Sequence, residues 1–361
     1  MTDHVSRRRF LQATAASVAT SSLAVGAPSA KAPFPASFAV HTGRVRSPVA
    51  VASENGKLAV QIAVEKMIAG YAPVDAAVAG VTVVEDDPLD DSVGLGGLPN
   101  EEGVVELDAC VMDGPSGLAG AVGALQNIQN PAQVALKIMR HTDHVMLVGE
   151  GALRFAKSYG FPEVNLLTEP SRQKWLEWRE RRGTLDKWIH PDENTVGGKE
   201  WFTQWKHKTG TIHLGAVNAT GDVGSCTSTS GLAFKIPGRV GDSPIIGSGN
   251  YCDNDVGTGG GTGRGEANII ANGGAFIVQQ MALGITPTDA CMAAVRRVVR
   301  LTKQKRLLDD KGRPSFQIKF YAINKAGQIG SAGMYADSYA RCDENGAVLA
   351  DLASLYHEKI K

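Results

Sequence analysis

Apolar residues recur at intervals of three and four over much of the chain. Between residues 57 and 69 this spacing predicts a helix, and Gly70 stands where a helix ends. Pro131 occupies a first helical position and begins a predicted helix over 131–140. Further helices are predicted over 73–84, 149–159, 169–182, 266–283 and 287–301.

Other segments alternate apolar and polar residues and therefore predict strands. The pattern indicates one strand over 104–112 and two hairpins, over 212–228 and 317–334. The glycine-rich segments 86–97 and 238–265 are predicted loops. Because most helices precede the strands, the pattern favours an α+β class, with helices packed on sheets, over a regular alternation of strand and helix.

The segment 183–209 lacks steady periodicity and is rich in Lys, Gly, Thr and Trp. We interpret it as an exposed or mobile connector. It ends directly before the first predicted hairpin, so the residues at this junction, Gly210 and Thr211, join irregular chain to a strand.

The N-terminal residues have the form of a targeting segment. Adjacent arginines at 7–9 precede an Ala-rich apolar run that ends near Val25, and small residues follow, with Ala30-Lys31-Ala32 as a candidate cleavage site. This order predicts a twin-arginine-type signal peptide over residues 1–32 and export to the periplasm. The mature chain, 33–361, is then predicted to be a single domain with no membrane contact. A cytoplasmic N-terminus without a signal is the alternative.

Charge and cysteine content narrow the class of partner. The 37 basic side chains balance 37 acidic ones, which gives no electrostatic case for nucleic acid. Five cysteines without a close pair predict buried free thiols and neither a disulfide framework nor a zinc site. The sequence also lacks a metal motif or nucleotide fingerprint, so we expect a small-molecule substrate and no cofactor.

Thr211 is the strongest candidate for a nucleophile. A threonine hydroxyl is a weak nucleophile until a base takes its proton, and a threonine at a chain terminus carries that base as its own α-amine. An α-amino pKa near 8 suits this task. Self-cleavage at Gly210–Thr211 would create such a terminus, because attack by the hydroxyl on the preceding carbonyl turns the amide into an ester.

Polar residues after Thr211 provide the remaining groups that amide hydrolysis needs. The predicted hairpin places Thr229 beside Thr211. Arg239 offers a planar fork for a carboxylate, and Asp242 can accept from an ammonium, so the two suit the head of an α-amino acid. Thr262 and Gly263 follow in a glycine-rich segment whose donors can stabilise an oxyanion. Each of these residues also has a purely structural interpretation, as a cross-strand pair, a loop salt bridge or a turn.

Taken together, these residues resemble the glycosylasparaginases, also called aspartylglucosaminidases, of the N-terminal-nucleophile hydrolase superfamily. The resemblance extends from about Pro48 to Asp337. The segments that carry it are 91–97 (DSVGLGG), 107–114 (LDACVMDG), 147–150 (LVGE), 227–231 (TSTSG) and 236–244 (IPGRVGDSP).

The resemblance implies a four-layer αββα sandwich, cleaved into 33–210 and 211–361, which form an α/β heterodimer that pairs again. It implies hydrolysis of the side-chain amide of N4-(β-N-acetylglucosaminyl)-L-asparagine through a β-aspartyl ester. It implies that Thr211 is the nucleophile and the base, that Thr229 tunes this nucleophile and that Ser92 supports its amine. It implies that Arg239 binds the substrate carboxylate and that Asp242 binds the substrate ammonium. Thr262 and Gly263 would form the oxyanion hole.

The chain departs from the family pattern at three places. Gly210 stands where the family usually has aspartate, and glycine there is typical of the related isoaspartyl peptidases and type III asparaginases. His213 replaces a usual glycine, where it either contacts the site or lines the other face of the strand. Ser53-Glu54-Asn55-Gly56 replaces a segment that carries a substrate-contacting tryptophan. Two alternatives follow, an isoaspartyl peptidase or L-asparaginase on the same fold, and an uncleaved relative that binds an amino acid.

Overall fold

A computed structural model describes residues 47–182 and 210–360. The predicted signal peptide and the predicted connector over 183–209 therefore lie outside the described residues. Those that are described belong to one unit of the chain, Ala39–Lys361. No helix within this described part is long and apolar enough to cross a membrane.

Two sheets form the centre of the molecule. In chain order the strands are β1 (Val49–Ser53), β2 (Glu106–Asp113), β3 (Ala119–Gln126), β4 (Met146–Val148), β5 (Ile212–Val217), β6 (Val223–Thr229), β7 (Asn250–Asp253), β8 (Gly257–Gly263), β9 (Ile318–Asn324), β10 (Ile329–Tyr335), β11 (Ser338–Asp343), β12 (Gly346–Asp351) and β13 (Ala353–Tyr356). One sheet has the order β12-β11-β1-β5-β6-β2-β3-β4, and the other has the order β13-β10-β9-β8-β7.

Helices cover the outer face of each sheet. They are α1 (Lys57–Ile68), α2 (Pro73–Glu85), α3 (Pro131–His141), α4 (Gly149–Ser158), α5 (Glu169–Arg182), α6 (Gly265–Ala271), α7 (Gly273–Ala282) and α8 (Pro287–Leu301). One apolar core joins α1–α4 to the larger sheet, and another joins α6–α8 to the smaller one. A third core, which includes Val51, Tyr321 and Ile323, lies between the sheets. The predicted four-layer αββα sandwich is confirmed.

The predicted loop over 238–265 is wrong, because it contains β7 and β8. The sequence of β8, GTGGGTG, shows no apolar alternation, so its strand character is invisible in the pattern. Close packing explains why β8 is rich in glycine. A Cβ on Gly261 would lie 2.7 Å from the Phe320 ring, and one on Gly257 would lie 2.2 Å from the Ile323 carbonyl oxygen. Backbone pairing with β9, rather than side-chain pattern, makes this segment a strand.

Two further predictions are wrong. The single helix over 266–283 is two helices, because Asn272 adopts the left-handed conformation (φ 51°, ψ 52°) and ends α6. The predicted order, in which most helices precede the strands, is also wrong, because the strand β1 is the first element of the described part of the chain. Its first four residues are apolar, and all five are buried between β5 and β11, so the pattern does not alternate.

Candidate active site

The hairpin of β5 and β6 brings two threonine hydroxyls together. The pairing of Ile212 with Ser228 puts Thr211, just before β5, opposite Thr229, the last residue of β6. Thr211 Oγ1 donates to Thr229 Oγ1 at 3.1 Å, and only 8% of Thr211 is exposed. The predicted proximity of these two residues is confirmed, whereas their catalytic roles stay predictions.

Thr229 also contacts the peptide bond that precedes Thr211. Its hydroxyl donates to the Gly210 carbonyl oxygen at 2.8 Å and accepts the backbone N–H of Gly231 at 2.8 Å. The Gly231 N–H therefore orients Thr229, whose hydrogen points to the carbonyl of the Gly210–Thr211 bond. A donor in this position stabilises negative charge that develops on the carbonyl oxygen during attack.

Ser92 fills the space beside Gly210. A Cβ on Gly210 would lie 1.9 Å from the Ser92 Cβ and 2.0 Å from its Oγ, so no other residue fits without displacing this serine. The Ser92 hydroxyl donates to the Asp90 carboxylate. The backbone carbonyl of Ser92 accepts from the Ser230 N–H at 2.7 Å, which fixes the loop against the end of β6. Glycine at position 210 thus has a steric cause in this chain.

A small pocket on one side of Thr211 contains both residues predicted to bind the amino-acid head. Arg239, Asp242, Thr229 and Gly263 line it together with Thr211, and its volume is about 10 Å³, which is room for one water molecule. The structure therefore brings five of the predicted site residues around one point.

The Arg239 guanidinium already holds a carboxylate. Its Nε and Nη2 atoms donate to Glu266 Oε1 at 3.1 and 2.8 Å. Glu266 therefore occupies the guanidinium fork that was predicted to hold a substrate carboxylate, although it is not among the residues that line the small pocket. Sequence reasoning missed Glu266, although its position in the first turn of α6, three residues after Gly263, was a signal.

Asp242 is buried and has one amide partner. Asn268 Nδ2 donates to Asp242 Oδ2 at 2.7 Å. Burial raises the pKa of Asp242 to about 6, and the bond from Asn268 opposes this shift. An ammonium ligand would compensate the buried charge of Asp242. Asn268 was also missed by sequence reasoning, because its contact with Asp242 spans separate segments.

A wider cleft of about 400 Å³ opens on the other side of Thr211. Among the residues that line it are Ser53, Glu54, Asp90, Thr262, Lys319 and Asp337. Lys319 Nζ lies 2.9 Å from Asp337 Oδ2. Gly263 borders both cavities and has φ +114°, and a Cβ on it would lie 2.5 Å from the Gln317 carbonyl oxygen. Gly263 thus stands where the pocket and the cleft meet, and Thr262 lines the cleft next to it.

The chain is similar in sequence to known proteins over most of its length. A family model described as Asparaginase matches residues 39–313. The chain is 40% identical to the N(4)-(β-N-acetylglucosaminyl)-L-asparaginase of Elizabethkingia miricola over 79% of its own length and 78% of that protein. It is 36% identical to the Mus musculus protein of the same name over 64% of its length and 71% of that protein.

The chain belongs to the asparaginase family. It is therefore an amidohydrolase of the class that acts on carbon–nitrogen bonds in linear amides. His213, where the sequence analysis expected a departure from the family pattern, is fully buried between the sheets. His213 Nδ1 lies 2.8 Å from Thr227 Oγ1, and its ring stacks on Tyr321 with centroids 5.9 Å apart. His213 is absent from the lining of the pocket and the cleft beside Thr211, so it does not obstruct them.

The five cysteines are not among the residues that line the pocket or the cleft. All five cysteines are free and buried, which confirms the prediction of free thiols. Burial raises the pKa of Cys252 to about 11, so this thiol is not poised as a nucleophile. Within residues 47–182 and 210–360, no group of three or more His, Cys, Asp or Glu side chains has the arrangement of a metal site.

Proposed function

We propose that this chain cuts itself between Gly210 and Thr211 and then hydrolyses the side-chain amide of N4-(β-N-acetylglucosaminyl)-L-asparagine. The observation that carries the proposal is the hydrogen-bonded series in which Thr211 donates to Thr229 and Thr229 donates to the Gly210 carbonyl, at 3.1 and 2.8 Å. The names of the Elizabethkingia miricola and Mus musculus relatives support the substrate.

Self-cleavage begins with attack of Thr211 Oγ1 on the Gly210 carbonyl carbon. A carbon–oxygen bond forms, the carbon–nitrogen bond breaks, and the hydroxyl proton ends on the departing nitrogen. The Thr229 hydroxyl stabilises the charge on the carbonyl oxygen, since it already donates to that atom. Water then hydrolyses the ester, which yields a carboxylate on Gly210 and a free α-amine on Thr211.

The freed amine serves as the base in turnover. It takes the proton of Thr211 Oγ1, which attacks the side-chain carbonyl of the substrate and forms a β-aspartyl ester. The same amine returns the proton to the departing nitrogen, and water hydrolyses the ester. The hydroxyl of Thr262 and the backbone N–H of Gly263 are the proposed oxyanion donors, because both residues line the cleft together with Thr211.

The aspartyl part of the substrate belongs in the small pocket. Arg239 binds its α-carboxylate in place of Glu266, and Asp242 binds its α-ammonium. A volume of about 10 Å³ does not admit an aspartyl group, so the pocket must widen for the substrate to enter. The ion pair between Arg239 and Glu266 must also open before Arg239 can bind the substrate carboxylate. The 45% exposed Glu266 side chain has solvent into which it can move.

The leaving group belongs in the wider cleft, whose charges favour a sugar over a second amino acid. Among the described residues that line this cleft, Glu54, Asp90 and Asp337 carry carboxylates and Lys319 carries the one ammonium. The α-carboxylate of a leaving amino acid would meet this negative excess, whereas a neutral sugar would meet hydrogen-bonding groups. Of the two enzyme candidates, the glycosylasparaginase is therefore favoured over the isoaspartyl peptidase.

Intact mass spectrometry of the purified protein is the first test. We expect one fragment that begins at Thr211, and none in a Thr211→Ala variant. Aspartate release is then measured from N-acetylglucosaminyl-asparagine, a β-aspartyl dipeptide and asparagine. Faster turnover of the dipeptide would overturn the substrate assignment, and an intact, inactive wild-type chain would favour the amino-acid-binding alternative.

The proposal extends to assembly and location. The two fragments, 33–210 and 211–361, remain joined as an α/β heterodimer because β1, β2 and β3 share a sheet with β5 and β6. Pairing of two heterodimers is supported by exposed apolar side chains at and near the edge strand β4, namely Leu118, Val145, Met146 and Val148. Sedimentation of the cleaved protein tests the assembly.

Cell fractionation tests export to the periplasm, which we expect to fail when Arg7 and Arg8 are both replaced by lysine.

A further inference from the structure

A buried phenol lies directly behind the cleft. Tyr321, on β9, is fully buried, and its hydroxyl oxygen lies 2.9 Å from Thr262 Oγ1. In the β8–β9 pairing Gly260 is opposite Tyr321, and Thr262 is two residues further along β8. Tyr321 therefore reaches Thr262 diagonally across the sheet. Thr262 lines the cleft beside Thr211, while Tyr321 does not, so any influence of Tyr321 on the reaction passes through Thr262.

The ring of Tyr321 is held by His213. The two rings are nearly parallel, with an interplanar angle of 13°. His213 occupies the space that a side chain on Gly260 would need, since a Cβ there would lie 2.1 Å from His213 Cε1. A glycine on β8 and a histidine on β5 thus fit each other, and together they fix the position of Tyr321 between the sheets.

Burial and one hydrogen bond together favour a neutral His213 ring with its proton on Nδ1. The Thr227 hydroxyl donates to the Gly249 carbonyl at 3.1 Å, so its oxygen accepts from His213 Nδ1–H. Burial lowers the pKa of His213 to about 3, which keeps the ring uncharged at neutral pH. His213 also lies two residues after Thr211, on the strand β5 that follows it. The stack therefore connects β5 to Tyr321 on β9, and the bond from Tyr321 continues to Thr262 on β8.

The direction of the bond between Tyr321 and Thr262 decides what Thr262 can do. Burial raises the pKa of Tyr321, so the phenol keeps its hydrogen. Thr262 Oγ1 is the hydrogen-bond partner of this phenol among the residues that the structure describes. If Thr262 donated its only hydrogen to Tyr321, none would remain for a substrate oxyanion. When Tyr321 donates, the Thr262 hydrogen is free to point into the cleft, and donation in series strengthens it as a donor.

We propose that Tyr321 is a positioning residue for amide hydrolysis, which donates its phenolic hydrogen to Thr262 and thereby turns the Thr262 hydroxyl toward the carbonyl oxygen of the substrate. This inference rests on the proposed function of Thr262. Self-cleavage does not need it, because Thr229, and not Thr262, contacts the Gly210 carbonyl.

The test is a double-mutant cycle on the cleaved enzyme with N-acetylglucosaminyl-asparagine as substrate. Tyr321→Phe keeps the ring and its stack, and we expect kcat to fall about 10-fold while KM changes less than about two-fold. In a Thr262→Val background the same change has no further effect, since the hydroxyl that it orients is gone. In a Thr262→Ser background, Tyr321→Phe lowers kcat by the same factor as in the wild type.

Tyr335→Phe is the matched control. Tyr335, on β10 of the same sheet, also loses a buried phenol bond, to the Pro314 carbonyl oxygen at 2.7 Å, but it has no contact with Thr262. We expect its kcat to stay at the wild-type value. Appearance of the fragment that begins at Thr211 reports folding of every variant.

Two results would overturn the inference. One is a Tyr321→Phe enzyme with wild-type kcat, and the other is a loss of equal size in the wild-type and Thr262→Val backgrounds. Failure of the proposed function can be distinguished from failure of this inference, because in the former case the wild-type chain itself would stay uncleaved or release no aspartate.

Discussion

Removal of the Thr229 hydroxyl is expected to slow self-cleavage at Gly210–Thr211. Thr229→Val keeps the shape of the side chain but deletes the donor that lies 2.8 Å from the Gly210 carbonyl oxygen. Loss of one oxyanion donor typically costs about 3–4 kcal/mol of transition-state stabilisation, which corresponds to a rate roughly 100- to 1,000-fold lower. The variant also leaves the Gly231 N–H without its acceptor.

The assay follows freshly purified precursor over time. Denaturing electrophoresis gives the cleaved fraction, and intact mass confirms that the new fragment begins at Thr211. Thr229→Ser is the control, because it restores the hydroxyl, and we expect its rate to stay within about 10-fold of the wild type. Cleavage of Thr229→Val at the wild-type rate would refute the assigned role of the contact between Thr229 and the carbonyl.

Three further predictions follow from the site. Gly210→Ala should slow self-cleavage, since its Cβ would overlap Ser92, whereas Gly151→Ala, in open space on α4, should not. Glu266→Gln should lower KM by weakening the ion pair that occupies Arg239, as steady-state kinetics can show. The pKa of the buried His213 is near 3 in the folded chain and 6.5 in the unfolded chain, so the unfolded chain takes up the proton first as the pH falls. Stability is therefore lost as pH falls below 6.5, by about 2 kcal/mol at pH 5, and urea unfolding of His213→Gln should lack this contribution.

Local elements were largely predictable because their determinants are close in sequence. The helix over 169–182 and the helix over 287–301 have the predicted bounds. Thr211 and Thr229 were also predictable neighbours, since a single turn at 219–221 connects their strands and sets the pairing. Where a short turn joins two patterned strands, register follows from the sequence alone.

The strands β1 and β8 were not predictable in the same way. A strand buried on both faces loses its alternation, and a strand of glycines never has one. In β8 the glycines give room to partners from β5 and β9, among them His213 and Phe320. Which partners these are depends on the packing of the two sheets, so the local pattern could not show it.

The sequence by itself determined the nucleophile candidate, its hairpin partner, and the set of polar residues that surround Thr211, because residue type and short spacing specify them. Only the tertiary structure decided why glycine must precede Thr211, which carboxylate occupies Arg239, and which phenol contacts Thr262. Each of these depends on a contact between segments far apart in the chain, such as Ser92 with Gly210 or Tyr321 with His213. Such contacts arise when packing of the layers buries the side chains together, and no local periodicity encodes them.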